Sequence, residues 1–118
     1  MLTAVVLTLN EARHLPDCLA SLDWADALLV FDSFSMDATC AIARQYGARV
    51  VQHQFANYAD QRNAALDAVE GEWVFFVDAD ERATPALATE VRAAISESDK
   101  AGWWVPRHNY IFGRLTLG

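Results

Sequence analysis

Apolar residues in this chain fall into short continuous runs, separated by stretches in which they recur at helical spacing. Thr3 to Leu9 (T-A-V-V-L-T-L) is β-branched and apolar and predicts a buried strand; Asn10-Glu11-Ala12-Arg13-His14 is its polar exit. Leu15, Cys18, Leu19 and Leu22 then share one helical face, with Pro16 placed where a first turn tolerates its missing N–H. Ala27 to Phe31 predicts a second buried strand ending at Asp32, followed by a loop from Ser33 to Asp37. A helix from Ala38 to about Tyr46 stops at Gly47, a natural left-handed terminator. Ala48 to Gln52 is a third strand, and Tyr58 to Val69 a helix closing at Gly71. Val74 to Val77 is a fourth strand, and Thr84-Pro85 caps a helix reaching about Ser96. Gly102 to Pro106 reads as extended, and Arg107-His108-Asn109 leads into an apolar tail without helical or alternating order.

Continuous apolar strands alternating with helices predict an α/β fold, a mostly parallel sheet with helices on both faces. Short connections and the lack of a linker make residues 1–118 one domain. In such a sheet the loops after the strands gather at one edge, where ligands bind. Here those loops carry Thr8-Leu9-Asn10-Glu11, Asp32-Ser33 and Asp78-Ala79-Asp80-Glu81. If the backbone stays extended, Asp78 and Asp80 point the same way with roughly 6.6 Å between their Cα atoms. Like charges so close favour a cation beside them, and a hard divalent ion with oxygen ligands suits them. Acids clustered at an exposed turn are the plainer reading of those residues alone. Arg62, in the first turns of its helix, is placed to hold a phosphate or a base carbonyl, though such an arginine is commonly just solvated.

Composition narrows the partners. Hydrophobic residues make up 53% of the chain, so it is globular. The net charge of −7 argues against nucleic acid as a partner, since that needs a basic face. Of the cations eight are Arg and one is Lys100. Cys18 and Cys40 form no C-x-x-C pair and read as small core residues, which suits a reducing cytoplasm. No apolar run reaches the length of a membrane span, and the N-terminal residues do not resemble a signal peptide. His14, His53 and His108 have no spacing suited to zinc and read as structural or exposed.

V-V-L-T-L-N-E, the aspartate ending the second strand, Q-R-N-A-A-L-D and W-V-F-F-V-D-A-D-E-R occur in an order that resembles the family 2 glycosyltransferases of the GT-A fold. Phe55 to Asn63 (F-x-x-Y-x-x-Q-R-N), Asp78 to Arg82 and Pro106 to Arg114 are most similar to bacterial enzymes of the lipopolysaccharide-core β-1,4-glucosyltransferase type. That resemblance implies transfer from a nucleotide-sugar, a UDP-hexose, to a glycan or glycolipid acceptor with inversion. It implies that Thr8, Leu9, Asn10, Glu11 and Asp32 cradle the nucleobase, Asp32 accepting from a ring N–H. Arg62 would meet the base or the diphosphate, and Asp78 with Ala79 would lie along the nucleotide. Asp80, helped by Asp78, would ligate Mn²⁺ or Mg²⁺.

Two departures from the family pattern stand out. Phe34 and Ala38 occupy positions where the family loop has glycines. The general base is expected beyond Gly118, so the 118 residues are read as a truncated donor half that binds nucleotide with weak or absent transfer. The expected location is the cytoplasm; peripheral contact with the inner face of a membrane, and a homo-oligomer through Tyr110-Ile111-Phe112, Leu115 and Leu117, are compatible with the chain. A receiver domain and a haloacid-dehalogenase-type phosphatase place their acids after other strands. A non-catalytic nucleotide-binding or assembly module has the same sequence features as a donor half.

Overall fold

The computed structural model describes residues 2–69, 73–100 and 109–112. The elements run β1 (Leu2–Thr8), α1 (Leu15–Ala20), β2 (Ala27–Asp32), α2 (Thr39–Gln45), β3 (Arg49–Gln52), α3 (Tyr58–Ala68), β4 (Trp73–Asp78), α4 (Pro85–Lys100) and β5 (Asn109–Phe112). The strands form one sheet in the order β3-β2-β1-β4-β5, and every neighbouring pair is parallel. The chain therefore winds outward from β1 through β2 to β3, then returns to the other side of β1 as β4. That reversal, between β1 and β4, is the switch point at which open α/β sheets form a crevice.

Alternation along the strands divides the core into two layers. Leu2, Ala4, Val6, Val30, Trp73, Phe75 and Val77 face α1, α2 and α4, meeting Leu15, Cys18, Leu19, Ala43 and Val91. Val5, Leu29, Phe31, Val74 and Phe76 face the other way onto Ala65 and Val69 at α3 and its end. Both faces of β1, β2 and β4 are thus apolar, which is why these strands read as unbroken hydrophobic runs.

Local chemistry sets the boundaries. Gly47 has φ +79°; its N–H reaches the Arg44 carbonyl at 3.1 Å and the Ala48 N–H reaches Ala43 at 3.0 Å, a Schellman close to α2. Asn57 caps α3 by accepting from the Asp60 N–H at 2.8 Å, and Thr84 caps α4 by accepting from Leu87 at 3.1 Å. The fifth strand departs from the expectation: it lies at Asn109–Phe112, inside the run read as an irregular tail. Gly102 to Pro106, Leu115 and Leu117 lie outside the described residues. Helix α4 also runs one turn past the expected Ser96, to Lys100.

Phe75 is wholly buried in the larger layer, with its ring centroid 5.9 Å from that of Trp24. Replacing a buried Phe by Ala costs about 3–5 kcal/mol, a large fraction of a small domain's stability. Phe75→Ala is accordingly expected to lower the unfolding free energy measured by urea denaturation by that amount; a loss below about 1 kcal/mol would contradict the assigned core.

Candidate functional site

Register brings the polar strand ends level. Thr8 pairs with Asp32 and Leu7 with Asp78, while Gln52 on β3 is level with Asp32. Above this edge opens a cleft of about 980 Å³, lined by Leu7, Thr8, Leu9 and Glu11, by Ser33, by Phe55, Tyr58, Gln61 and Arg62, and by Phe76 to Glu81. It sits at the β1–β4 switch point.

Asp32 is the best-enclosed charged group, with no exposed surface. One carboxylate oxygen accepts from Thr8 Oγ1 at 2.6 Å and Ser35 Oγ at 2.5 Å. The other accepts from the Ser35 N–H at 2.8 Å, Gln52 Nε2 at 3.3 Å and Cys40 Sγ at 3.4 Å. Burial pushes its pKa up, but the Ser35, Thr8 and Gln52 hydrogen bonds outweigh that, leaving it below the ordinary carboxylate value. The structure therefore places Asp32 beneath the cleft, facing inward, with five protein donors on its two oxygens.

Around it the β1–α1 and β2–α2 loops are laced together. The Asn10 N–H donates to Ser35 Oγ at 2.7 Å, and Asn10 Oδ1 accepts from the Met36 N–H at 2.8 Å. The Glu11 N–H donates to Thr39 Oγ1 at 2.9 Å and the Ala12 N–H to Asp37 Oδ2 at 3.2 Å. Ser35, Asp37 and Thr39 thus each serve as a joint between the two loops, at alternate positions along the chain. Asn10 has φ +53° and Phe34 φ +61°. Phe34 keeps the left-handed backbone at a cost of about 1–2 kcal/mol, whereas Ala38, at φ −78°, needs no glycine. The two glycine replacements are therefore unequal.

The β4 end behaves differently from the extended expectation. The strand stops at Asp78, and the Glu81 N–H closes a turn onto the Asp78 carbonyl at 2.9 Å. Glu81 Oε1 accepts from the Asp78 N–H at 3.2 Å. Ala79 is buried in the core, and Asp78 and Asp80 stay exposed on the cleft. The extended-chain spacing of the two aspartates does not apply, because the turn has begun between them. Nearby, burial pushes the Glu11 carboxyl up; Asp80, Asp37 and Asp78 add to that rise and His14 opposes it. One negative field therefore spans both loops. Burial pushes the Cys18 thiol beneath them up to about 12, in keeping with a core residue.

Of the site residues read from sequence, Thr8, Leu9, Glu11, Arg62, Asp78, Ala79 and Asp80 line the cleft; Asn10 ties the loops beside it and Asp32 lies underneath. Ser33, Phe55, Tyr58, Gln61 and Glu81 line it as well and had no individual role assigned. Among the described residues no three His, Cys, Asp or Glu side chains converge to hold a metal by themselves, and no helix is long and apolar enough to cross a membrane.

The model of Glycosyl transferase family 2 matches residues 3–116. The chain belongs to that family. It is 33% identical over 118 residues to the lipopolysaccharide core biosynthesis glycosyltransferase LpsC of Rhizobium meliloti, covering 95% of this chain and 44% of LpsC. Among solved structures it resembles residues 1-349 of S. aureus TarS, with TM-score 0.72 and 28% identity over 83% of this chain and 33% of that fragment. TarS is also known in complex with UDP-GlcNAc (TM-score 0.67, 27% identity, 83% of this chain and 32% of that one). A second structural neighbour is glucosyl-3-phosphoglycerate synthase of Mycobacterium tuberculosis in complex with Mn²⁺, UDP and glucosyl-3-phosphoglycerate. Its TM-score is 0.61, with 28% identity over 70% of this chain and 35% of that one. The chain spans less than half the length of these proteins. Together they establish the GT-A-type α/β fold. The β3-β2-β1-β4-β5 order also excludes the receiver-domain alternative, whose strands run 2-1-3-4-5.

Asp32→Asn places an amide N–H₂ among five donors and is expected to cost about 2–3 kcal/mol near neutral pH. Because the folded pKa is lowered, the wild-type contribution is fully present above the unfolded value of about 4. It is lost as pH falls through the folded value. Denaturant melts of both proteins from pH 7 down to pH 2 should therefore converge at the acid end. Equal stability at pH 7 would contradict the buried-anion assignment.

Proposed function

We propose that the cleft is the donor site of a glycosyltransferase, binding a UDP-hexose with a divalent metal for transfer to a glycan or glycolipid such as a lipopolysaccharide core. The observation that carries this reading is the cleft's position: it opens at the β1–β4 switch point with carboxylates on one wall and an aromatic pair on another. The structural neighbours crystallised with UDP-GlcNAc, and with UDP and Mn²⁺, support it.

Phe55 and Tyr58 pack edge to face with centroids 5.2 Å apart, offering flat apolar surface for a base beside Thr8, Leu9 and Arg62. Asn10 and Asp32 hold the loops that shape this end. Arg62, at the start of α3, supplies positive charge toward the diphosphate. The far wall carries Asp78, Asp80 and Glu81. Exposed carboxylates within one negative field fit Mn²⁺ or Mg²⁺, which bind through one or two carboxylates together with phosphate oxygens. Asp80 with Asp78 would hold the ion. When bound, the ion supplies Lewis-acid stabilisation of charge on the departing nucleoside diphosphate. An inverting displacement needs a base on the acceptor hydroxyl, and none of the cleft residues is assigned that role.

Calorimetric titration with UDP is expected to show binding in the presence of Mn²⁺, weakened at least about tenfold by Asp80→Asn or by omitting the metal. UDP at 100 times Kd should stabilise the fold by about 2.7 kcal/mol. Equal affinity with and without metal, unaltered by Asp80→Asn, would remove the metal from the account.

A further inference from the structure

Arg82 follows the cleft acids Asp78, Asp80 and Glu81 directly in the chain, yet the cleft lining stops at Glu81. Its guanidinium is engaged elsewhere: Nη2 donates to Asp17 Oδ2, on α1, at 2.9 Å. Both partners are exposed, and an exposed ion pair adds little to stability. The turn does not depend on that pair. Ala79 is buried in the core, and Glu81 closes the turn through both its backbone and its side chain. Just beyond, the Ala83 N–H donates to Ser21 Oγ at 2.9 Å, and Ser21 Oγ donates to the Cys18 carbonyl at 2.7 Å. The end of α1 thus grips the segment after the acids without help from Arg82. What the pair decides is where a positive charge sits.

That choice bears on the acids. Burial is the main cause of the raised Cys18 thiol, and the charges of Glu81, Asp80 and Asp78 add to it while Arg82 opposes them. One thiol therefore feels all four side chains, which places the guanidinium in the same neighbourhood as the three carboxylates. Arginine pairs readily with carboxylates through two parallel N–H donors. Released from Asp17, Arg82 would find such partners on its own turn. A guanidinium on Asp80 would occupy the oxygens, and cancel the charge, that a divalent cation needs. We propose that Asp17 is a positioning residue for the acidic wall: it draws Arg82 onto α1 and leaves the Asp78 and Asp80 carboxylates to a divalent cation. This rests on the metal-and-nucleotide reading above and goes beyond it by giving a residue outside the cleft a part in cation binding.

The test is calorimetric titration of UDP, at low ionic strength and one fixed Mn²⁺ concentration, into wild type, Asp17→Asn, Arg82→Gln and the double variant. Asp17→Asn is expected to weaken Mn²⁺-dependent UDP binding about fivefold, the upper range for an exposed ion pair, with the fold unchanged by circular dichroism. Removing the freed cation should rescue it: Asp17→Asn with Arg82→Gln should return to within about twofold of wild type. Were the pair merely a staple for the turn, the double variant would bind as weakly as Asp17→Asn, and that result overturns the proposal. Wild-type affinity in Asp17→Asn overturns it too. Should Asp17→Asn not fold, Arg82→Gln alone decides: binding within about twofold of wild type supports the proposal, and a larger loss overturns it. If wild type binds UDP equally with and without Mn²⁺, the metal reading and this proposal fall together. Metal-dependent binding that the double variant does not recover sinks only the role of Asp17.

Discussion

Asp32 holds a negative charge with no exposure to water, and the elements around it are arranged to solvate that charge. Thr8 comes from β1, Ser35 from the β2–α2 loop, Cys40 from α2 and Gln52 from β3. An ion buried without such partners would cost several kcal/mol, so these four segments are held in register by the need to satisfy it. The same Ser35 hydroxyl accepts from the Asn10 N–H, so the constraint reaches the β1–α1 loop and fixes the near wall of the cleft. The floor of the site is an electrostatic knot, and its rim is what the knot leaves facing outward.

The other wall obeys a different constraint. Asp78 and Asp80 are exposed, and the turn between them is closed by Glu81 through its backbone and its side chain. Ala79 anchors that turn by pointing into the core. The carboxylates are thus displayed rather than buried, as suits groups that meet a hydrated cation. The cleft thus brings apolar, aromatic and amide side chains from β1 and α3 together with the exposed carboxylates that follow β4. Membership of Glycosyl transferase family 2 and the resemblance to TarS give the family and fold in which this cleft lies.

The strands were legible because β1, β2 and β4 are buried on both faces, which writes them as unbroken apolar runs. The face of α1 was legible from Leu15, Cys18, Leu19 and Leu22, all buried. The three acidic strand ends were legible because parallel topology collects them at one edge. What sequence did not carry was direction: an aspartate at a strand end reads the same whether it is exposed on the cleft, as Asp78 is, or buried in the protein, as Asp32 is. An exposed turn after Asp78 was one of two readings, and sequence did not decide between it and an extended chain because its closing bonds depend on Glu81 folding back, not on a Gly or Pro. β5 was missed because Asn109–Phe112 is too short to show alternation, and its pairing with β4 is decided across the sheet. Gln61 gave no sign of its own, since an amide amid polar helix residues becomes a buried part of the cleft only once α3 has packed.

Amide chemical shifts of the 118-residue chain, followed while UDP and Mg²⁺ are added, test the central claim most directly. Shifts concentrated at Thr8 to Glu11, at Gln61 and Arg62 and at Asp78 to Glu81 are the predicted result. Saturable shifts centred elsewhere, with those three segments unmoved, would contradict a nucleotide site at the switch point of the sheet.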